Sequence, residues 1–274
     1  MKKILIVEGN TPAACEHAQQ FGQATQSDNY ASTLLSLDPA LEIVLTTPAD
    51  PATESVSDEA LRTFDGVVFT GSSLHAYDTE PEVLRQIELM KRCFDTGRTI
   101  FGSCWGLQIA VVAAGGQVEP NAKGRELGIA RRICLTPSGR AHYLFADKDP
   151  VFDAIGIHLD HVTRAPAGAD ILASNAISDV QAMSLAIGES EFLGVQYHPE
   201  FSFSYMSKLF QRYRDMLLSE RFSGSDADVD TLISDYVALD DPDGFGLQWR
   251  YGIGSGLATR EDRLREISNW LASL

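Results

Sequence analysis

The chain has 274 residues, 44% apolar and 22% charged, enough for a full core in one large domain or a domain with an appendage. A formal charge of −16 opposes phosphate backbones and anionic lipid surfaces, so neither nucleic acid nor a membrane is an expected partner. Four widely spaced cysteines (15, 93, 104 and 134) form no C-x-x-C pair, no secretory leader precedes the first apolar run, and no run approaches membrane-spanning length; the expected compartment is the cytoplasm.

Met1-Lys2-Lys3 leads straight into Ile4–Val7, a compact apolar run that reads as a first strand. Ile43–Leu45, Val67–Phe69 and Thr99–Phe101 are further short runs suited to strands covered on both faces. Asn10-Thr11-Pro12 opens a helix, and Tyr30, Leu34, Leu35 and Leu37 suggest a second helical turn or two, expected to pack against the core, with an insertion over the active edge as the alternative. Thr47 to Val56, with two prolines and small polar residues, reads as a surface loop. Thr79-Glu80-Pro81-Glu82 has the form of a capping-box start, and Val83, Ile87, Met90 and Phe94 make a helical stripe ending at Gly97. This βαβα order predicts an α/β fold with a flavodoxin-like, doubly wound and mostly parallel sheet. Ligands of such sheets gather at the carboxyl ends of the strands. Glu8-Gly9-Asn10, Thr70-Gly71-Ser72-Ser73 and Cys104 all follow strands on that edge and are expected to lie close together.

Cys104 stands in Ile100-Phe101-Gly102-Ser103-Cys104-Trp105-Gly106-Leu107-Gln108, where a buried run turns into a helical pattern (Leu107, Ala110, Val111, Ala114). Gly102 and Gly106, two residues to either side, leave room for a sharp turn, the geometry of a nucleophile elbow with cysteine in place of serine. A thiol at a helix N-terminus meets unpaired N–H groups that favour the thiolate. The plainer reading is a small buried hydrophobe, which most free cysteines are. Thr70-Gly71-Ser72-Ser73 is either an ordinary βα turn or a set of N–H groups for an oxyanion, with the Trp105 N–H as second donor.

Gly115-Gly116 caps the elbow helix. Gly128 to Leu135 and Ile171 to Ser174 then read as strands, and Gln181–Ile187 with Phe192–Tyr197 as a hairpin across Gly188–Glu191, so this part is mixed or antiparallel. Ile157-His158-Leu159-Asp160-His161-Val162 lacks further ligands at regular spacing and no H-E-x-x-H occurs. It is expected to form a loop lining a substrate pocket and not a metal site. Tyr197-His198-Pro199-Glu200 ends the last strong strand. In extended backbone His198 and Glu200 face the same side, where a carboxylate fixes the imidazole tautomer and stabilises its charged form.

Gly102-Ser103-Cys104-Trp105-Gly106-Leu107-Gln108 followed by His198-Pro199-Glu200 resembles the signature of class I, triad-type glutamine amidotransferases, over roughly residues 1–215. The resemblance implies Cys104 as nucleophile on a γ-glutamyl amide, His198 as general acid/base and Glu200 as its orienter. It places an oxyanion loop at Gly71-Ser72, and it matches Gln108, His158 and Asp160 to positions lining the glutamine pocket, Leu159 standing where the family often has glycine. The implied reaction releases glutamate through a cysteinyl thioester and needs no cofactor.

No P-loop or other nucleotide motif occurs, so any ammonia-consuming synthetase would be a separate partner. The first reading is a glutaminase-type enzyme, alone or serving such a partner. The second is a stand-alone hydrolase of a small γ-glutamyl amine or peptide, and the third a catalytically silent regulatory module. Self-association is left open. Residues 1–219 are expected to form the catalytic domain and 220–274 a helical extension packed on it. Within the extension, Gly224 to Asp243 carries seven aspartates with Val229, Leu232, Ile233, Tyr236 and Val237 at helical spacing. Phe245, Trp249 and Tyr251 follow in a glycine-rich stretch and are expected to dock on the core, a lid or a partner surface being the alternative, and Thr259–Asp262 caps a final helix bearing Leu264, Ile267, Trp270 and Leu271.

Overall fold

The computed structural model describes residues 1–241 and 244–274; Asp243 of the acidic stretch and the side chain of Phe245 lie outside the described residues. The first half runs β1 (Lys3–Val7), α1 (Pro12–Gln20), α2 (Gln26–Leu37), β2 (Glu42–Thr46), α3 (Asp58–Leu61), β3 (Gly66–Phe69), α4 (Pro81–Phe94), β4 (Thr99–Ser103) and α5 (Trp105–Ala113). It continues with β5 (Gln117–Pro120), β6 (Glu126–Leu135), α6 (Pro137–Ala141), β7 (Val151–His158), β8 (Asp160–Arg164), β9 (Asp170–Ser174), β10 (Ala182–Ile187) and β11 (Ser190–Val195). The helices α7 (Phe203–Arg212), α8 (Arg214–Ser219), α9 (Asp226–Leu239), α10 (Phe245–Tyr251), α11 (Ser255–Ala258), α12 (Arg260–Arg263) and α13 (Arg265–Ser273) complete the chain.

Among the described residues, nine strands form one sheet in the order β2-β1-β3-β4-β11-β10-β9-β6-β7. The strands from β2 to β11 pair in parallel, and those from β11 to β7 in antiparallel fashion. Alternation along the strands sorts side chains onto two faces. Leu5, Val7, Val67, Phe69 and Ile100 pack with Val83, Met90, Leu107 and Ile109 of α4 and α5. Ile4, Ile6, Val68 and Phe101 pack with Tyr30 and Leu34 of α2 on the opposite face, together with Ile267, Trp270 and Leu271 of α13. Trp270 is fully buried, 5.8 Å from the Phe101 ring. The last helix therefore supplies part of the layer that a doubly wound sheet requires on its second face.

Several local expectations change. The α4 start is capped at Glu80, not Thr79, and no side chain caps it; Pro81 presets the first helical φ and replaces an N–H that would have needed a partner. The hairpin turn narrows to Gly188-Glu189 because Ile187 pairs with Ser190. The Tyr30 region is a full helix, α2, capped by Thr25. The expected loop at 157–162 is the junction of two strands: β7 pairs with β6 through Ile157 and His158, and β8 pairs with β5 through Asp160 and Val162. Backbone pairing on both sides of Leu159 overrides the loop-like polarity of the segment. The final helix divides at Leu264 into α12 and α13. In α9, Val229 and Tyr236 are buried whereas Val237 is exposed, because α9 meets α7 through its Val229–Tyr236–Leu239 stripe. Trp249 does not dock on the core, being 82% exposed. No helix among the described residues is long and apolar enough to cross a membrane.

If α13 is part of the core, Trp270→Ala will lower the unfolding free energy by about 3–5 kcal/mol. A denaturation midpoint shifted by less than about 1 kcal/mol would show that the sheet face is closed without it.

Candidate active site

Cys104 takes φ +52° and ψ −99°, a region that side-chain-bearing residues rarely occupy. Two neighbours make the turn sterically feasible. A Cβ on Gly102 would lie 2.6 Å from the Gly106 carbonyl carbon, and one on Gly106 would lie 2.4 Å from the Phe69 oxygen. The Cys104 N–H donates to the Val195 oxygen at 2.7 Å, which ties the elbow to the end of β11. Sγ lies 3.7 Å from the Ile157 oxygen. The helix α5 begins at Trp105, so the first-turn N–H groups and the positive end of the helix dipole surround the thiol.

β11 ends at Val195, and His198-Pro199-Glu200 lies in a turn beyond it, not in extended backbone. Proline offers no N–H to continue a ladder, and the Phe201 N–H closes the turn on the His198 oxygen at 3.3 Å. The turn still brings the two side chains together: His198 Nδ1 is 2.7 Å from Glu200 Oε1. The other Glu200 oxygen accepts from Ser103 Oγ at 3.2 Å, and that hydroxyl bonds to the buried Tyr30 hydroxyl. Phe201 stacks on the imidazole at 4.0 Å with an interplanar angle of 3°. Burial alone would depress the His198 pKa, but the Glu200 charge and the hydrogen bond to Cys104 outweigh it and raise the value to about 10. With Nδ1 on the carboxylate, Nε2 is left for the thiol.

The Gly71–Ser73 loop reaches the same place. Asn10 Oδ1 accepts from the Ser73 N–H at 3.1 Å, and Asn10 itself is held by Glu8, which also accepts from the Ser27 N–H at 2.7 Å. Burial raises the Glu8 pKa against these bonds. Gly71 packs against the imidazole so closely that a Cβ would sit 2.7 Å from His198 Cε1. The Trp105 indole points elsewhere, donating to Gln86 Oε1 at 2.8 Å.

Opposite lies a wall of side chains whose polar atoms are already engaged. Gln108 Nε2 donates to the Asp160 oxygen at 3.0 Å. His158 makes contacts through both nitrogens, to Asp160 O at 3.0 Å and to Glu126 Oε2 at 2.9 Å. Although burial acts to raise it, the Glu126 pKa is lowered by bonds from His158, Asn175 and Gln181. Asp160 pairs with His75 at 2.6 Å.

Cys104, His198, Ser72, Gln108, His158 and Asp160 line one cavity of about 250 Å³. Gly71, Trp105 and Glu200 flank it through the contacts above. Asn10, Tyr30, His75 and Arg212 belong to the site or its support without a motif that singled them out, although Asn10 stood on the expected edge; Ser103 stood inside the cysteine motif with no role given to it. Among the described residues no group of three or more His, Cys, Asp or Glu is placed to hold a metal ion.

The family described as glutamine amidotransferase class-I matches residues 24–215, and the chain belongs to it. Among individual relatives, a γ-glutamyl-L-1-hydroxyisopropylamide hydrolase of a Pseudomonas species is 38% identical over 203 residues, covering 73% of this chain and 68% of that protein. A glutamine-hydrolysing GMP synthase of Nitrosomonas eutropha is 30% identical over 158 residues, 56% of this chain but only 29% of the synthase. The crystal structure of a glutamine amidotransferase from Thermotoga maritima superposes with a TM-score of 0.68 at 14% identity, covering 99% and 97% of the two chains, which shows a shared fold.

Two consequences follow from the geometry. Gly71→Ala is expected to cut kcat/KM by about 10²-fold by displacing an imidazole that Phe201 and Glu200 otherwise fix; near-normal kcat/KM would mean the loop does not set the His198 position. An unfolded imidazole titrates near 6.5 and His198 near 10, so the pair stabilises fully below pH 6.5 and its contribution is lost as pH rises towards 10. Melting temperature is expected to fall over that window in the wild type and to change less in Glu200→Gln; parallel curves would remove the Glu200 charge as the cause.

Proposed function

We propose that the protein is a cysteine hydrolase of γ-glutamyl amides. One observation carries the reading: Cys104, held at an elbow, shares a cavity with an imidazole whose Nδ1 sits 2.7 Å from a buried carboxylate. In this mechanism the Cys104 thiolate adds to the γ-carbonyl carbon, forming the C–S bond. The N–H groups of Gly71, Ser72 and Trp105 stabilise the oxyanion. The C–N bond breaks as the His198 imidazolium gives its proton to the departing nitrogen. Water, deprotonated by His198, then attacks the thioester, releasing glutamate and restoring the thiolate. Glu200 keeps the imidazole oriented and stabilises its charged form. Gln108, His158 and Asp160 shape the wall against which the glutamyl group lies. Residues 1–219 would carry the chemistry and 220–274 would brace it, in a cytoplasmic enzyme whose only co-reactant is water.

The similarity to a γ-glutamyl amide hydrolase over most of both chains favours stand-alone hydrolysis over the glutaminase reading placed first by sequence. The partial match to a GMP synthase supports the glutaminase reading, in which ammonia from glutamine passes to a separate synthetase. Both share the thioester. Acid quenching during turnover of glutamine or a γ-glutamyl amide is expected to leave a glutamyl adduct on the Cys104 peptide, visible by mass spectrometry. Cys104→Ala should lose both the adduct and nearly all turnover. Turnover of the wild type with no adduct, or equal turnover by the variant, would refute a cysteinyl intermediate.

A further inference from the structure

Cys104, Gln108, Ile157, Asp160 and His198 line one cavity. In the proposed mechanism the leaving nitrogen takes its proton from His198, so the departing amine lies on the His198 side. The wall behind His198 is built by α7 and the turn entering α2. Phe201 stacks on His198 and lies 4.4 Å from Tyr205, whose hydroxyl donates to the Ala24 oxygen at 3.1 Å. Leu209 and Arg212 follow Tyr205 along one face of α7 at spacings of four and three. Side chains of a helix lean towards its N-terminus, which points Arg212 back towards His198. Leu209, Arg212, Met216 and Gln26 all line the cavity that holds Cys104.

Arg212 is held entirely by neutral groups. Nη1 donates to Gln23 Oε1 at 3.2 Å, Nη2 donates to the Tyr213 hydroxyl, and the guanidinium lies 4.5 Å from the Tyr213 ring centroid. Nε is buried with no partner. No carboxylate lies within ion-pair distance of Arg212 among the described residues, although the chain carries 38 acidic side chains. Arg125 on the same cavity shows the usual arrangement, with both Glu220 oxygens at 3.0 Å. Glu8, an acidic neighbour, is bonded instead to Asn10 and Ser27. A fixed guanidinium without counter-charge, on the wall of the cavity that holds Cys104, has the chemistry of a carboxylate receptor.

We infer that this wall is the subsite for the leaving amine and that it selects amines bearing a carboxylate. The substrate class is γ-glutamyl amino acids, with the α-carboxylate of the released residue on Arg212 and its side chain against Leu209 and Met216. The inference rests on the γ-glutamyl hydrolase reading. Cationic amines such as polyamines meet like charge at this wall and are poor substrates.

The test compares γ-glutamyl-L-alanine with γ-glutamyl-L-alaninol, which share a carbon skeleton and differ by a carboxylate against a hydroxymethyl group. Amine release is measured for the wild type, Arg212→Met and Arg212→Lys, with thermal melts to establish that each is folded. The wild type is expected to favour the alanine compound about 10–100-fold in kcat/KM. Arg212→Met should bring that ratio to within about threefold, mainly through KM, and Arg212→Lys should keep part of it. Equal rates in the wild type, or an unchanged ratio in Arg212→Met, would overturn the subsite and leave the hydrolase reading standing. If neither compound nor glutamine is turned over faster than by Cys104→Ala, the hydrolase reading fails and the subsite with it.

Discussion

A positive φ at one cysteine sets the layout of the molecule. Holding a side-chain-bearing residue at φ +52° costs about 1–3 kcal/mol, and such strain persists only where the surroundings over-determine it. Here β4 is clamped between β3 and β11, α5 is pressed so closely on Phe69 that residue 106 has no room for a side chain, and the Cys104 N–H is claimed by Val195. The last contact has a second effect. Val195 ends the strand that leads to His198, so the bond that fixes Cys104 also fixes the start of the segment that delivers His198. Parallel pairing of β11 with β4 is thus a condition for the site as well as part of the fold.

The charges behind the site obey the same economy of tethers. Glu200 is buried, and a buried carboxylate is tolerable only when its oxygens are engaged. One oxygen faces His198 and the other accepts from Ser103, itself bonded to Tyr30 of α2. The residue before His198 is anchored from the far end of the chain: the Tyr197 hydroxyl donates to Glu266 at 2.5 Å, and Glu266 also accepts from Lys148 at 3.0 Å. Glu266 is fully buried on α13, so breaking one member of this group would leave an uncompensated charge inside the core. Helix α13, remote in sequence, is therefore coupled to the residue before His198 both by apolar packing on the sheet and by a buried hydrogen bond to Glu266.

Much of this was legible in the residues. Short β-branched runs separated by helical stripes specified the parallel half of the sheet, and a glycine-flanked cysteine with a distant His-Pro-Glu pointed to residues that the fold brings together. Both signals are local and their periods are unambiguous. What escaped depends on pairing across distance. Nothing near Leu159 reveals that the residues before and after it join different sheets, because the partners are β6 and β5. Pro199 correctly signalled the end of a strand, but the strand stops at Val195, before the histidine. Val237 obeys helical spacing yet faces outward, since the stripe selected for burial in α9 is decided by α7. Arg212 carries no motif at all; its environment becomes visible only when Gln23 and Tyr213 are placed around it.

The distinction between engaged and unengaged polar atoms separates residues that build the cavity from those that can read a substrate. On the glutamyl side, both His158 nitrogens, the Gln108 donor and the Asp160 carboxylate already have partners. A ligand would have to break these bonds to use the same atoms, and each broken bond leaves a buried group uncompensated. Such a wall is rigid and contributes mainly shape. The Arg212 side holds a guanidinium whose partners, Gln23 and Tyr213, are neutral, so a carboxylate arriving there meets a standing charge that no acid has neutralised. In an otherwise acidic chain, that local reversal of sign gives the cavity a preference for an anionic leaving amine that the surface alone would repel.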